Sequence, residues 1–271
     1  MKLSYLNHSS YLLELDHTSI LLDYGSLPVR PGQGGLSDGV FNLQDQAPRH
    51  TKLLGYSSHR HSDHFDPQLC RKFLTAGLTY ILSDEAQLAV EDYMADPNFH
   101  RLLPQTEAEI AGLKMSNSGS TDQGGSLLFQ EEKSDFSIYF GADLAVWDDL
   151  PEFCEGFDRE KNWLAGQRDK FSPVKLAFFP AGTSDGYQED PLLDGARDLI
   201  ELFKPSFVIP IHGHGYPDYY PDFARKIKQR LQAWTIDIAS FQDFAKDPQK
   251  FSAKADLTIL YPEKSGDKLN I

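Results

Sequence analysis

"SSHRHSDHFDP", residues 57–67, sets three histidines and an aspartate inside six positions, directly behind the apolar run of "TKLLGYSS". The chain has nine histidines in 271 residues, so three in one short loop are more than an ordinary polar turn calls for. A loop at the end of a buried strand can converge side chains on one point, because the strand fixes its base. His59 and His61 lie two apart and project to the same side of an extended segment. Asp63 and His64 follow where the chain turns, adding a carboxylate and a third imidazole. Such a set suits a borderline divalent ion such as zinc, with manganese or iron also accommodated. Four-residue helical spacing and a thiolate set are both missing, so helical zinc proteases and zinc ribbons fit poorly.

The composition narrows the partners. A formal charge of −14 at pH 7 repels a phosphate backbone, and no Lys/Arg-rich stretch offsets it, so a nucleic-acid partner is not expected. A small-molecule substrate is. No run of apolar residues is long enough to span a bilayer. "MKLSYLNHSSYLLELDHTSILLDYG" alternates apolar and polar residues and reads as strands rather than a signal peptide. Cys70 and Cys154 are too few for a disulfide framework, and a reducing cytoplasm fits them. No linker divides the chain, which predicts one domain over residues 1–271.

The pattern predicts a hairpin over the first 25 residues, a strand at 52–57, and a helix from Pro67 capped by Asp66. A strand at "LTYILS" and a helix at "DEAQLAVEDYMA" follow. Next come a hairpin of "GSLLFQ" and "DFSIYFGAD", a buried strand "VKLAFFPAG", and a helix "PLLDGARDLIELFKP" stopped by Pro205. "SFVIPIHG" is a strand ending on His212, and "PDFARKIKQRLQAW" an amphipathic helix. Hairpins first and alternating strands and helices later imply an α/β layered domain with two sheets.

His59-Arg60-His61-Ser62-Asp63-His64 matches the HxHxDH signature, and the chain resembles the metallo-β-lactamase superfamily, in its lactonase-like and phospholipase-D-like branch. "NHSSYLLELDHTSILLDYG" is similar to that branch's opening hairpin, "IYFGADLAVWDD" to its Gly-Asp segment with Ala142 inserted before Asp143, and "FVIPIHG" to its final strand. The pieces cover nearly the whole chain in order. The resemblance implies a four-layer αββα sandwich and two adjacent metal sites. His59 and His61 would hold the first ion, Asp63, His64 and His212 the second, and Asp143 would bridge both. A water between the ions would be the nucleophile, with Asp63 orienting it or handling its proton.

The family's third histidine on the first ion has no counterpart. The interval that should supply it holds only His100, which sits too early, beside the expected helix. "KMSNSGSTDQGGSLLFQ" occupies the place, and Asp122 is its best substitute; otherwise one ion binds, mainly at the second site. Asp23 is expected to orient a metal-binding imidazole. His8 either faces the pocket or lies on the surface, and His212 is preferred over His214. Ser184 and Asp185 lie in a glycine-rich turn, and Trp147, Phe153, Phe157 and Trp163 either line the pocket or cover the core. The function implied is a metal-dependent hydrolase of a small ester, lactone or phosphodiester. The alternative is a metal-binding or ligand-sensing protein with impaired catalysis.

Overall fold

The opening of the chain is three strands rather than two: β1 (Lys2–Asn7), β2 (Ser10–Glu14) and β3 (Ser19–Leu22). The first apolar run, expected as one strand, breaks at His8, whose φ of 51° turns the backbone left-handed and sends β2 back antiparallel to β1. The structure, a computed structural model, describes residues 1–27, 34–50, 52–83, 93, 95–182, 188–214, 216–252 and 255–271. Most of the helix expected at "DEAQLAVEDYMA", together with Ser184 and Asp185, lies outside the described residues.

Behind the opening come α1 (Leu43–Gln46), β4 (Leu53–Ser57), α2 (Pro67–Thr75), β5 (Thr79–Leu82) and β6 (Phe99–Arg101). The Asp66 carboxylate caps α2 by accepting from the backbone N–H groups of Gln68 and Leu69, as expected from Asp-Pro. Then follow β7 (Thr106–Ile110), β8 (Leu113–Asn117), β9 (Leu127–Glu131), β10 (Ser137–Phe140), α3 (Pro151–Arg168) and β11 (Val174–Pro180). The chain continues with α4 (Glu189–Phe203), β12 (Phe207–Ile211), α5 (Tyr219–Arg230) and β13 (Ile236–Ser240). It closes with α6 (Phe241–Lys246), α7 (Pro248–Ser252), β14 (Leu257–Tyr261) and β15 (Lys268–Asn270).

Two mixed sheets result, in the orders β15-β1-β2-β3-β4-β5-β6 and β13-β14-β12-β11-β10-β9-β8-β7. Strand alternation decides how they stack. Tyr5, Tyr11, Leu13, Ile20, Leu22 and Tyr56 face the second sheet, where the Tyr11 ring lies 5.1 Å from Phe178 and Tyr56 lies 6.2 Å from Phe140. The alternate residues Leu12, Leu21 and Leu53 turn outward onto Leu69, Cys70 and Phe73 of α2. Strands buried on both faces need near-continuous apolar sequence, which these have. On the far side, α4 and α5 lie against β11 and β12. The layers are therefore helix, sheet, sheet, helix, as the resemblance implied. Among the described residues no helix is long and apolar enough to cross a membrane.

Candidate metal centre

Six strands of two sheets end at one place. β1 and β3 flank β2 antiparallel, and β3 pairs parallel with β4, so all three run the same way. They deliver His8, Asp23 and the His59–His64 loop from their C-terminal ends. In the second sheet β8, β10 and β12 also share one direction, and the loops behind them carry Asp122, Asp143 and His212. Strand C-termini are where open α/β sheets gather ligands.

The backbone is bent to make the approach. His8, Asp23, Ala142, His212 and His214 all have φ between 43° and 60°, a left-handed conformation that costs a non-glycine residue on the order of 1–2 kcal/mol. Asp and His tolerate it better than most residues, and Ala142 is the one that turns the chain into Asp143. Two glycines allow contacts that no side chain would. A Cβ on Gly25 would lie 2.2 Å from the Asp63 carbonyl carbon, and one on Gly124 would lie 1.9 Å from the Ser58 carbonyl oxygen. Gly124 also has φ +64°, so Gly124→Ala is expected to lose on the order of 3 kcal/mol of stability and to lift the Asp122 loop away. Thermal or urea unfolding of that variant checks it.

The expected side chains converge. Oδ2 of Asp143 lies 3.6 Å from His59 Nε2, 3.3 Å from His64 Nε2 and 3.6 Å from His212 Nε2. His59 Nε2 and His61 Nδ1 are 3.0 Å apart, and Asp122 Oδ2 lies 3.5 Å from the first and 3.2 Å from the second. Asp63 Oδ2 lies 3.6 Å from His64 Nε2 and 3.3 Å from His8 Nε2. Three groups have all their donor atoms within 4.8 Å of one another: His8–Asp63–His64–His212, His59–His61–Asp122 and His59–His64–Asp143. Each has the separations and donor chemistry that one divalent cation could draw together. Asp122, expected as the substitute for the absent histidine, is thus brought to His59 and His61, while His100 sits in β6 and joins no group. His214 joins none either.

A second layer holds the donors. Buried Asp23 accepts from Ser58 N and Ser58 Oγ, each at 2.7 Å, and its Oδ2 lies 2.7 Å from His64 Nδ1. The His212 ring nitrogen Nδ1 is 3.2 Å from the Gly182 carbonyl, which leaves Nε2 to face Asp143. Trp147, one of the aromatics left open in the sequence, packs 5.3 Å from the His212 ring and donates to the Asp143 carbonyl. Thr121 ties the Asp122 loop to the Asp143 loop by accepting from Ala145 N at 3.2 Å. Ser58 and the two glycines gave no sequence signal beyond ordinary turn composition.

Burial pushes the rings of His8 and His59 down to about 3, so both are neutral at ordinary pH. His64 goes the other way: burial opposes its charge, but Asp143 and Asp23 raise it well above the usual histidine range. His212 is raised as well, since Asp143 outweighs burial. Asp63 and Asp143 are held below the usual carboxylate range despite burial, Asp63 chiefly by the His8 Nε2–H that lies 3.3 Å away and Asp143 chiefly by the His64 charge. His64 and His212 are thus drawn toward the charged form by Asp143, while burial keeps His8 and His59 neutral. Among the described residues, buried atoms of the three donor groups left without a hydrogen-bond partner are His8 Nε2, His64 Nε2 and Asp143 Oδ1. Beside Asp122 opens a cavity of about 740 Å³ with polar walls that include Arg60, Gln105, Ser120 and Arg159.

No family model matches the chain, and no curated protein matches it. Solved structures do. Igni18, a metallo hydrolase from the archaeon Ignicoccus hospitalis, is 17% identical, with a TM-score of 0.53 over 84% of this chain and 91% of that one. The metallo-β-lactamase fold protein YhfI from Bacillus subtilis is 12% identical, with a TM-score of 0.56 over 98% of each chain. CmlA, a diiron β-hydroxylase from Streptomyces venezuelae, is 14% identical, with a TM-score of 0.57 over 86% of this chain; the match spans 51% of CmlA, about half its length. Sheet order, layer order and these likenesses agree that the chain has the metallo-β-lactamase fold.

Proposed function

We propose that this protein is a metal-dependent hydrolase that binds two divalent cations, zinc foremost, and cleaves a small ester, lactone or phosphodiester. The observation that carries the reading is the pair of buried, unpartnered atoms, His64 Nε2 and Asp143 Oδ1, set among carboxylates and imidazoles. Burying such atoms without a partner costs too much to be idle, and a cation satisfies both. His59, His61 and Asp122 would hold the first ion, and Asp63, His64 and His212 the second. Asp143 would serve both, since one of its oxygens faces imidazoles of each set. Iron and manganese suit the same donors, and the likeness to a diiron protein keeps iron in view.

When bound, the cations supply Lewis acidity and an acidified water. The chain does the rest. Asp63, ionised and half-buried, would take a proton from the attacking water at Oδ2. Asp23 fixes the His64 ring through Nδ1, and Gly182 does the same for His212. The polar cavity beside Asp122 suits a substrate with hydrogen-bonding groups, and Igni18's description as a metallo hydrolase supports the reaction class. Metal analysis of protein purified without added metal, paired with a panel of esters, lactones and phosphodiesters, tests the proposal. Bound metal without turnover on any of them would favour the ligand-sensing alternative.

Two expected results separate the sites. Asp122→Ala should lower bound metal from two ions toward one; two ions held with unchanged affinity would remove Asp122 from the ligand set. The second concerns protons. The raised values of His64 and His212 mean that both rings stay protonated to higher pH than a free histidine, so a cation must displace those protons. Apparent zinc affinity should therefore fall as pH is lowered, by about tenfold or more per unit, with protons released on binding. Calorimetry in two buffers of different ionisation enthalpy counts those protons, and none released would contradict the assignment.

A further inference from the structure

We propose that His8 is a catalytic residue that donates a hydrogen bond from Nε2–H to a substrate oxygen, and that it is not a metal ligand. The proposal rests on the hydrolase reading above and adds a residue to it. By distance alone His8 qualifies as a ligand, since its nitrogen groups with Asp63, His64 and His212. Its other nitrogen excludes that role. Nδ1 accepts the backbone N–H of His214 at 3.0 Å, which takes the Nδ1 lone pair. A ring that accepts there carries its proton on Nε2 and has no lone pair left for a cation.

That Nε2–H is aimed into the centre and lacks an aligned acceptor. It lies 3.3 Å from Asp63 Oδ2 but makes no hydrogen bond of good geometry, and the side chain is only 1% exposed. A buried N–H left unsatisfied is costly, so one held rigidly at a site marks a place for an acceptor that arrives. Rigid it is. The Tyr220 hydroxyl donates to the His8 carbonyl at 3.0 Å and accepts from Gly213 N at 3.3 Å, locking the β1–β2 turn to the His212–His214 turn. An N–H fixed in advance, out of water, is what stabilises negative charge growing on a carbonyl or phosphoryl oxygen. No proton need leave His8 in this role.

Inorganic phosphate is the probe, titrated calorimetrically into zinc-loaded protein. His8→Asn keeps an acceptor for the His214 amide and tolerates the left-handed backbone, yet removes Nε2–H. It should bind as much zinc as the unmodified protein but phosphate at least about 10-fold more weakly. His8→Gln, whose amide reaches the Nε2 position, should recover part of that loss. Zinc lost in His8→Asn would overturn the proposal, as would unchanged phosphate affinity or no phosphate binding by the unmodified zinc-loaded protein. Nitrogen NMR of the imidazoles in the unmodified zinc-loaded protein needs no variant: a proton on Nε2 of His8 is expected, and one on Nδ1 overturns the proposal. An unmodified protein that binds no zinc would mark the hydrolase reading as the failure, and the His8 proposal would fall with it.

Discussion

Asp63→Ala and His61→Ala are each expected to leave a folded protein whose hydrolysis has fallen on the order of 10³-fold or more. Both lie in the loop behind β4, outside every strand and helix, and their side chains are 34% and 45% exposed. The apolar faces that hold the sheets together do not include them, so unfolding temperature should move little in the absence of metal. On the proposed assignment the two variants fail differently. His61→Ala weakens the first ion, which keeps His59, Asp122 and Asp143. Asp63→Ala weakens the second and also removes the carboxylate placed to take the proton, so it should be the slower of the two even at saturating metal. Turnover, bound metal and a melting curve for each variant give the three readings. Undiminished turnover in either would mean that this loop is not the catalytic centre.

How much of this could be read from the sequence depends on whether a feature is local. The HxHxDH loop is local, and Asp66 followed by Pro67 at the start of a helix is local, and both are found where expected. Asp143 could be placed because "IYFGAD" resembles a short family segment, and His212 was preferred over His214 because it directly follows a run of apolar residues that reads as a buried strand. The hairpin of β7 and β8 was invisible for the opposite reason: only one residue of β7 is buried, and "TEAEI" gives charge alternation without an apolar face. α3 escaped similarly, since two of its five buried residues are Glu160 and Gln167, and no apolar stripe marks it. Missing β8 meant missing how Asp122 reaches His59, a convergence across two sheets that spacing alone does not encode. His8 was undecided because its role depends on the His214 amide, 206 residues away.

Asp23→Ala is expected to damage both the fold and metal binding. Asp23 is wholly buried at the end of β3, and three donors meet its carboxylate: Ser58 N, Ser58 Oγ and His64 Nδ1. Alanine leaves all three buried without an acceptor, and leaves a protonated His64 with Asp143 as its only close partner of the two carboxylates that raise it. Breaking a buried ion pair on one side costs about 3–5 kcal/mol, and denaturant unfolding should show a loss of that size. Asp23→Asn separates fold from site. Its amide oxygen can still accept from Ser58 N, so stability should stay within about 2 kcal/mol of the unmodified protein. Its NH₂, however, meets His64 Nδ1 as a donor, which favours the ring form with the proton on Nε2. Nε2 is the atom that faces Asp63 and Asp143, and with a proton on it His64 cannot bind a cation. Zinc affinity in Asp23→Asn should therefore fall about 10–100-fold while the fold survives. Calorimetric titration with zinc measures it, and an affinity equal to that of the unmodified protein would show that Asp23 does not set the His64 ring.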